Sequence, residues 1–121
     1  NLPLLVYWQS LGEALKLTSQ NGIEFKKALD IMMDTSGACK VAHLKTGTIL
    51  KAYNNSLDGS STFGLESSLK DMKLIQDDAL KHNSHFSIVS EAIKYIEKGL
   101  DQNLHYEDAA CTSGLIPKNF N

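Results

Sequence analysis

Residues 1–22 read NLPLLVYWQSLGEALKLTSQNG, and this run decides the fold class. Leu4, Tyr7, Trp8, Leu11, Ala14, Leu15 and Thr18 recur at the three-and-four spacing that places side chains on one face of an α-helix. Leu5, Val6 and Leu17 add apolar residues on other faces, and Leu2 adds one just ahead. A helix apolar on most sides is expected to be buried on most sides. Asn21-Gly22 supplies the stop, because both residues tolerate the left-handed conformation. The spacing therefore predicts a helix from about Pro3 to Ser19. Glu13, set among these apolar residues, reads as a buried carboxylate bonded to a neighbour or as one facing a partner domain, with the former preferred.

The same rhythm continues along the chain. A second helix is expected from roughly Glu24 to Asp34, with Phe25, Ala28, Leu29 and Met32 on one face and Thr35-Ser36-Gly37 as its break. A third spans about Lys40 to Tyr53, with Val41, Leu44, Thr48 and Tyr53 marking a face. Asn54 to Thr62 is rich in Ser, Asn and Gly and reads as a surface loop. The fourth helix runs from near Phe63 to near His82, with Leu65, Leu69, Met72 and Ala79 on its apolar stripe. The fifth carries Ile88, Val89, Ala92, Ile93 and Ile96, with Ser87 as its cap and Gly99 as its end. A short sixth helix is expected from about Tyr106 to Ser113. Both prolines, Pro3 and Pro117, sit near the ends, and strict apolar–polar alternation is scarce. The expected architecture is an all-α domain of about six helices covering residues 1–121.

Composition narrows the function. With 121 residues, one domain is the natural count. The net charge of −2 comes from mixed signs with no basic stripe, which disfavours nucleic acid as a partner. No run of roughly 18 apolar residues exists to span a membrane, and Leu2–Trp8 lacks the flanks of a signal peptide. The chain opens directly in a hydrophobic helix, which reads as a segment of a longer protein. Cys39 and Cys111 read as two reduced thiols of a cytoplasmic protein. The histidines carry no HExxH or CxxC pattern, so no metal is expected. No GxSxG elbow and no phosphate-binding glycine motif is present.

The fourth helix carries the residues of most chemical interest. Phe63, Ser67, Lys70, Asp71 and Leu74 share one face by helical spacing, roughly opposite the apolar stripe. An aromatic residue beside a Lys-Asp pair suits either the cover of a ligand or a helix-cap contact. Lys70-Asp71 alone is equally a solvated charged dipeptide, and the pairs Glu66–Lys70 and Lys73–Asp77 contribute only tenths of a kcal/mol.

Taken in order, these segments resemble the C-terminal domain of the β-hydroxyacid dehydrogenase family, of the 3-hydroxyisobutyrate dehydrogenase type. NLPLLVYWQSLGEALKLTSQNGIEF is similar to the long helix that opens that domain. Glu13-Ala14-Leu15 lies twelve residues after Asn1, matching an Asn followed by Glu-Ala-(Leu/Met) in the family. FGLESSLKDMKLIQDDA supplies the second match, through Phe63, Lys70, Asp71, Leu74 and Ala79. A softer one is Asp108-Ala109-Ala110. The similarity covers Asn1 to about Leu115.

The resemblance implies the 6-phosphogluconate dehydrogenase C-terminal-domain-like fold, served by an N-terminal Rossmann domain that is absent from this chain. It implies reversible hydride transfer between NAD or NADP and a small β-hydroxyacid or its semialdehyde, in a homodimer or homotetramer. The family's catalytic lysine lies four residues before the matched Asn, outside this chain, so the chain itself holds no catalytic residue. Asn1, Phe63 and Asp71 would then contact the substrate, and Lys70 the cofactor. A proton leaves the hydroxyl as hydride leaves the carbon, so a positioned lysine is required, while the cofactor carries the difficult step. Two departures stand out: Ser67, where many members carry a larger apolar residue, and Phe86-Ser87, where a proline commonly enters the fifth helix. The alternatives are a non-catalytic helical oligomerisation or interaction module and a relative that kept the fold and lost catalysis.

Overall fold

The computed structural model describes residues 1–118 and Phe120. Among these residues the fold is all-helical: α1 Leu2–Gln20, α2 Phe25–Met33, α3 Ala42–Tyr53, α4 Leu65–Lys81, α5 Ser87–Asp101 and α6 Cys111–Leu115, closed by a 3-10 turn at Ile116–Lys118. None of these helices is long and apolar enough to cross a membrane.

α1 is the axis of the domain. It packs on α2, α4, α5, α6 and the 3-10 turn, and it buries Leu5, Trp8, Leu11 and Leu15. The expected burial holds along a broad face rather than on all sides, since Ser10, Glu13 and Leu17 are exposed. The stop comes where the sequence places it. Gly22 takes a φ of +80°, a conformation that a Cβ resists, while the Asn21 side chain donates back to the Leu17 carbonyl. α2 buries Phe25, Ala28 and Leu29 as read. The Phe25 ring stacks on Tyr53 with centroids 3.9 Å apart, joining the start of α2 to the end of α3.

Several expectations require correction. The buried face of α3 is Ala42, Ile49 and Ala52, and Leu44 is 80% exposed. Lys45 turns inward instead, because a buried carboxylate waits for it. Gly99 does not end α5. The helix continues to Asp101, and Gly99 is buried where a Cβ would lie 2.8 Å from the Leu65 side chain. It is a close-approach glycine between α5 and α4, and the chain turns instead at Asn103, whose φ is +63°. Ser87 does not cap α5; it is the first helical residue, preceded by Phe86, and no side chain caps this end.

The sixth helix begins at Cys111, not Tyr106. Residues ahead of it are spent on pairing with the start of α4: the Gly64–Asp108 bridge is antiparallel, and Ala109 donates its amide to Phe63. The segment from Asp108 to Ile116 is buried throughout. α6 lies against both α1 and α3, and its residues are small enough to let three backbones meet. A Cβ on Gly114 would stand 2.2 Å from the Ile49 carbonyl oxygen, and one on Gly12 would stand 3.2 Å from the Ser113 Cα. The Ser113 hydroxyl donates to the Trp8 carbonyl at 2.6 Å, which ties α6 to the backbone of α1.

Candidate functional site

α4 positions the Lys-Asp pair, and its own start is held in an unusual way. No side chain caps it. The orphan amides of the first turn are met by a neighbouring segment: Leu65 N–H donates to the Glu107 carbonyl at 2.9 Å and Glu66 N–H to the His105 carbonyl at 3.0 Å. Gly64 allows this approach, since its Cβ position is 3.2 Å from the His105 carbonyl oxygen.

Within α4 the two faces separate as the periodicity requires. Leu65, Met72 and Ala79 are buried together with Ser68, while Ser67, Lys70 and Leu74 are exposed and Asp71 is half-buried. Phe63 falls outside this scheme. It lies at a bend two residues before the helix, so helical angles do not apply to it, and its half-buried ring packs against the core. Asn1 is exposed at the head of α1, where its carbonyl accepts from the Leu5 amide and its side chain forms no capping bond.

Lys70 lines a groove of about 530 Å³ with Glu66, Ser67, Leu69, Lys73, Leu100 and His105. Asn1, Phe63 and Asp71 do not line that groove, so it gathers only one of the four residues singled out by sequence. Its donor set, two ammonium groups, a hydroxyl and an imidazole against one carboxylate, suits an anionic group.

Asp108 is the residue whose role sequence reading left unassigned. Its carboxylate is 4% exposed and takes Lys45 Nζ at 2.7 Å. The same oxygen accepts the Thr62 amide at 3.2 Å and its hydroxyl at 3.3 Å, while the other accepts the Ala110 amide at 3.0 Å. Burial pushes this carboxyl up, but Lys45 and the Ala110 and Thr62 amides outweigh it and hold the pKa below its ordinary value. Beside it, Glu107 accepts the Gly59 amide through both oxygens. Only the Asp-Ala-Ala match pointed here, and it carried no geometry.

Other polar groups settle into structural duties. Glu13 is exposed and accepts the Tyr95 hydroxyl at 2.8 Å, so the expected neighbour exists though the carboxylate is not buried. Both cysteines are free thiols. Burial pushes Cys111 up to about 12, which keeps it protonated and a poor nucleophile. A second groove, of about 430 Å³, lies where α1 and α5 begin, lined by Leu2, Val6, Phe86, Ser87, Ile88 and Val89.

No known protein-family model matches the chain, and no curated protein matches it either.

Proposed function

We propose that the chain is the C-terminal helical domain of an NAD(P)-dependent β-hydroxyacid dehydrogenase of the 3-hydroxyisobutyrate dehydrogenase type. A Rossmann domain would bind most of the cofactor, and the whole enzyme would transfer hydride between it and a small β-hydroxyacid or its semialdehyde. The observation that carries this reading is the sequence spacing of Phe63, just ahead of α4, and Lys70 and Asp71, within it, inside an all-helical domain. It is reinforced by Glu13-Ala14-Leu15 at its matching distance from Asn1.

Each residue has a task suited to its chemistry. Asn1 orients the substrate through a carboxamide that carries no charge to alter. Phe63 covers the substrate with an apolar face, and Asp71 holds its polar end. Lys70, exposed and grouped with Lys73, Ser67 and His105, reaches the cofactor. When bound, the nicotinamide supplies the hydride donor or acceptor. The domain's contribution is orientation and exclusion of water.

The test is a set of single substitutions in the full-length enzyme. Phe63→Ala and Asp71→Asn should raise KM for the hydroxyacid by about tenfold and leave cofactor affinity in place, whereas Lys70→Ala should do the reverse. Substitutions that leave both constants unchanged would remove the assigned roles.

One observation favours a second reading, a non-catalytic interaction or oligomerisation module. Ile88 is 72% exposed and Phe86 41% exposed at the apolar groove between α1 and α5. Upstream sequence separates the two: a GxGxxG after a strand and a lysine four residues before Asn1 belong to the enzyme only.

A further inference from the structure

We infer that Lys45, Thr62 and Asp108 form a clamp that positions Phe63, making Lys45 and Asp108 positioning residues for its contact with substrate; this rests on the dehydrogenase reading of Phe63. The geometry fixes Phe63 from both flanks. On one side, Thr62 is bound to Asp108 through its amide and its hydroxyl, at 3.2 and 3.3 Å. Lys45 Nζ closes the triangle at 2.6 Å from the Thr62 hydroxyl and 2.7 Å from Asp108. On the other side, Gly64 bridges to Asp108, and the carbonyl of Phe63 itself accepts the Ala109 amide at 2.9 Å. The ring is left half-buried against the core.

A carboxylate this deeply buried is a costly way to gain stability, because desolvation offsets most of the ionic attraction. What it provides is a fixed geometry: the clamp joins α3, the end of the 54–62 loop and the lead into α6 at the one place where α4 begins. A substrate-contacting side chain held within about half an ångström by such a shell retains its productive orientation.

The experiment compares Lys45→Met, Lys45→Arg and Phe63→Ala. In the 121-residue chain, Lys45→Met should speed hydrogen exchange at the Gly59, Thr62 and Ala109 amides by about tenfold or more, with the α1 amides of Leu11 and Leu15 unchanged. Lys45→Arg should restore protection. In the full-length enzyme, Lys45→Met should raise KM for the hydroxyacid by about as much as Phe63→Ala, with kcat altered less than about threefold. Should Lys45→Met prevent folding, Thr62→Val removes only the hydroxyl links and should move both readouts in the same direction by a smaller factor. Faster exchange spread evenly over α1 and the loop, or a KM that Phe63→Ala raises and Lys45→Met does not, would overturn the clamp. If exchange loosens locally but Phe63→Ala leaves KM unchanged, the dehydrogenase reading of Phe63 fails while the clamp's geometry stands.

Discussion

The crossing beneath α6 and the open edge between α1 and α5 use apolar surface in opposite ways. At the crossing, Gly12, Ala110, Ser113 and Gly114 are small and buried, and the two glycines sit closer to their neighbours than a Cβ would allow. At the edge, Leu2, Val6, Phe86 and Ile88 are large, and Phe86 and Ile88 stand in solvent. The first region shows where the domain is rigid: side chains were reduced until helices touch, and no atom can be added. The second shows where the domain is incomplete as a surface, since bulk apolar groups contribute little to stability until something covers them.

Substitutions should expose this contrast most sharply at the crossing. Gly114→Ala places a methyl 2.2 Å from the Ile49 carbonyl oxygen and 2.8 Å from the Ala52 Cβ, and neither can move without shifting α3. Destabilisation of about 3 kcal/mol is expected, read from the urea midpoint. A loss below about 1 kcal/mol would mean that α6 is not wedged against α3.

Asp108→Asn should come next, at about 2 kcal/mol. That is less than the roughly 3–5 kcal/mol of a fully buried broken pair, because Lys45 keeps 16% exposure and some access to water. The pH dependence follows from sign. The folded carboxyl titrates below the ordinary value of 3.8, so its stabilisation is complete above that value and fades as pH falls through the lower, folded pKa. Wild type should therefore lose a component of stability in acid that Asp108→Asn lacks. Parallel acid unfolding curves would contradict the assignment.

Smaller effects follow. Ser68 is buried, and among the described residues its hydroxyl has no hydrogen-bond partner. Ser68→Ala should stabilise the domain by about 1 kcal/mol, measured by thermal unfolding. Ile88→Ser, at the open edge, should change stability by no more than about 0.5 kcal/mol. It should instead reduce any self-association seen by sedimentation, and a large loss of stability there would erase the contrast between the two regions.

The parts legible in the sequence are those governed by local rules. The Asn21-Gly22 stop depends on one residue's backbone freedom, and the stripes of α1, α2 and α4 depend on periodicity. What escaped depends on partners far along the chain. Lys45 points inward because Asp108, 63 residues away, is buried beside it, whereas periodicity assigned that face to Leu44. Gly99 reads as a terminator by propensity but serves contact with Leu65. The run Asp-Ala-Ala-Cys-Thr-Ser-Gly has no bulky apolar pattern, so its burial comes from close approach rather than from hydrophobic spacing. At the candidate site, the Lys70 and Asp71 positions were readable from helical angle. Phe63 was not, because it lies before the helix begins, in backbone ordered by Thr62, Asp108 and Ala109.

Hydride transfer by the full-length protein tests the account most directly. Mixed with NAD or NADP and a small β-hydroxyacid, it should generate reduced nicotinamide, and the 121-residue domain alone should generate none. A folded full-length protein that turns over no β-hydroxyacid or semialdehyde with either cofactor would contradict the dehydrogenase reading.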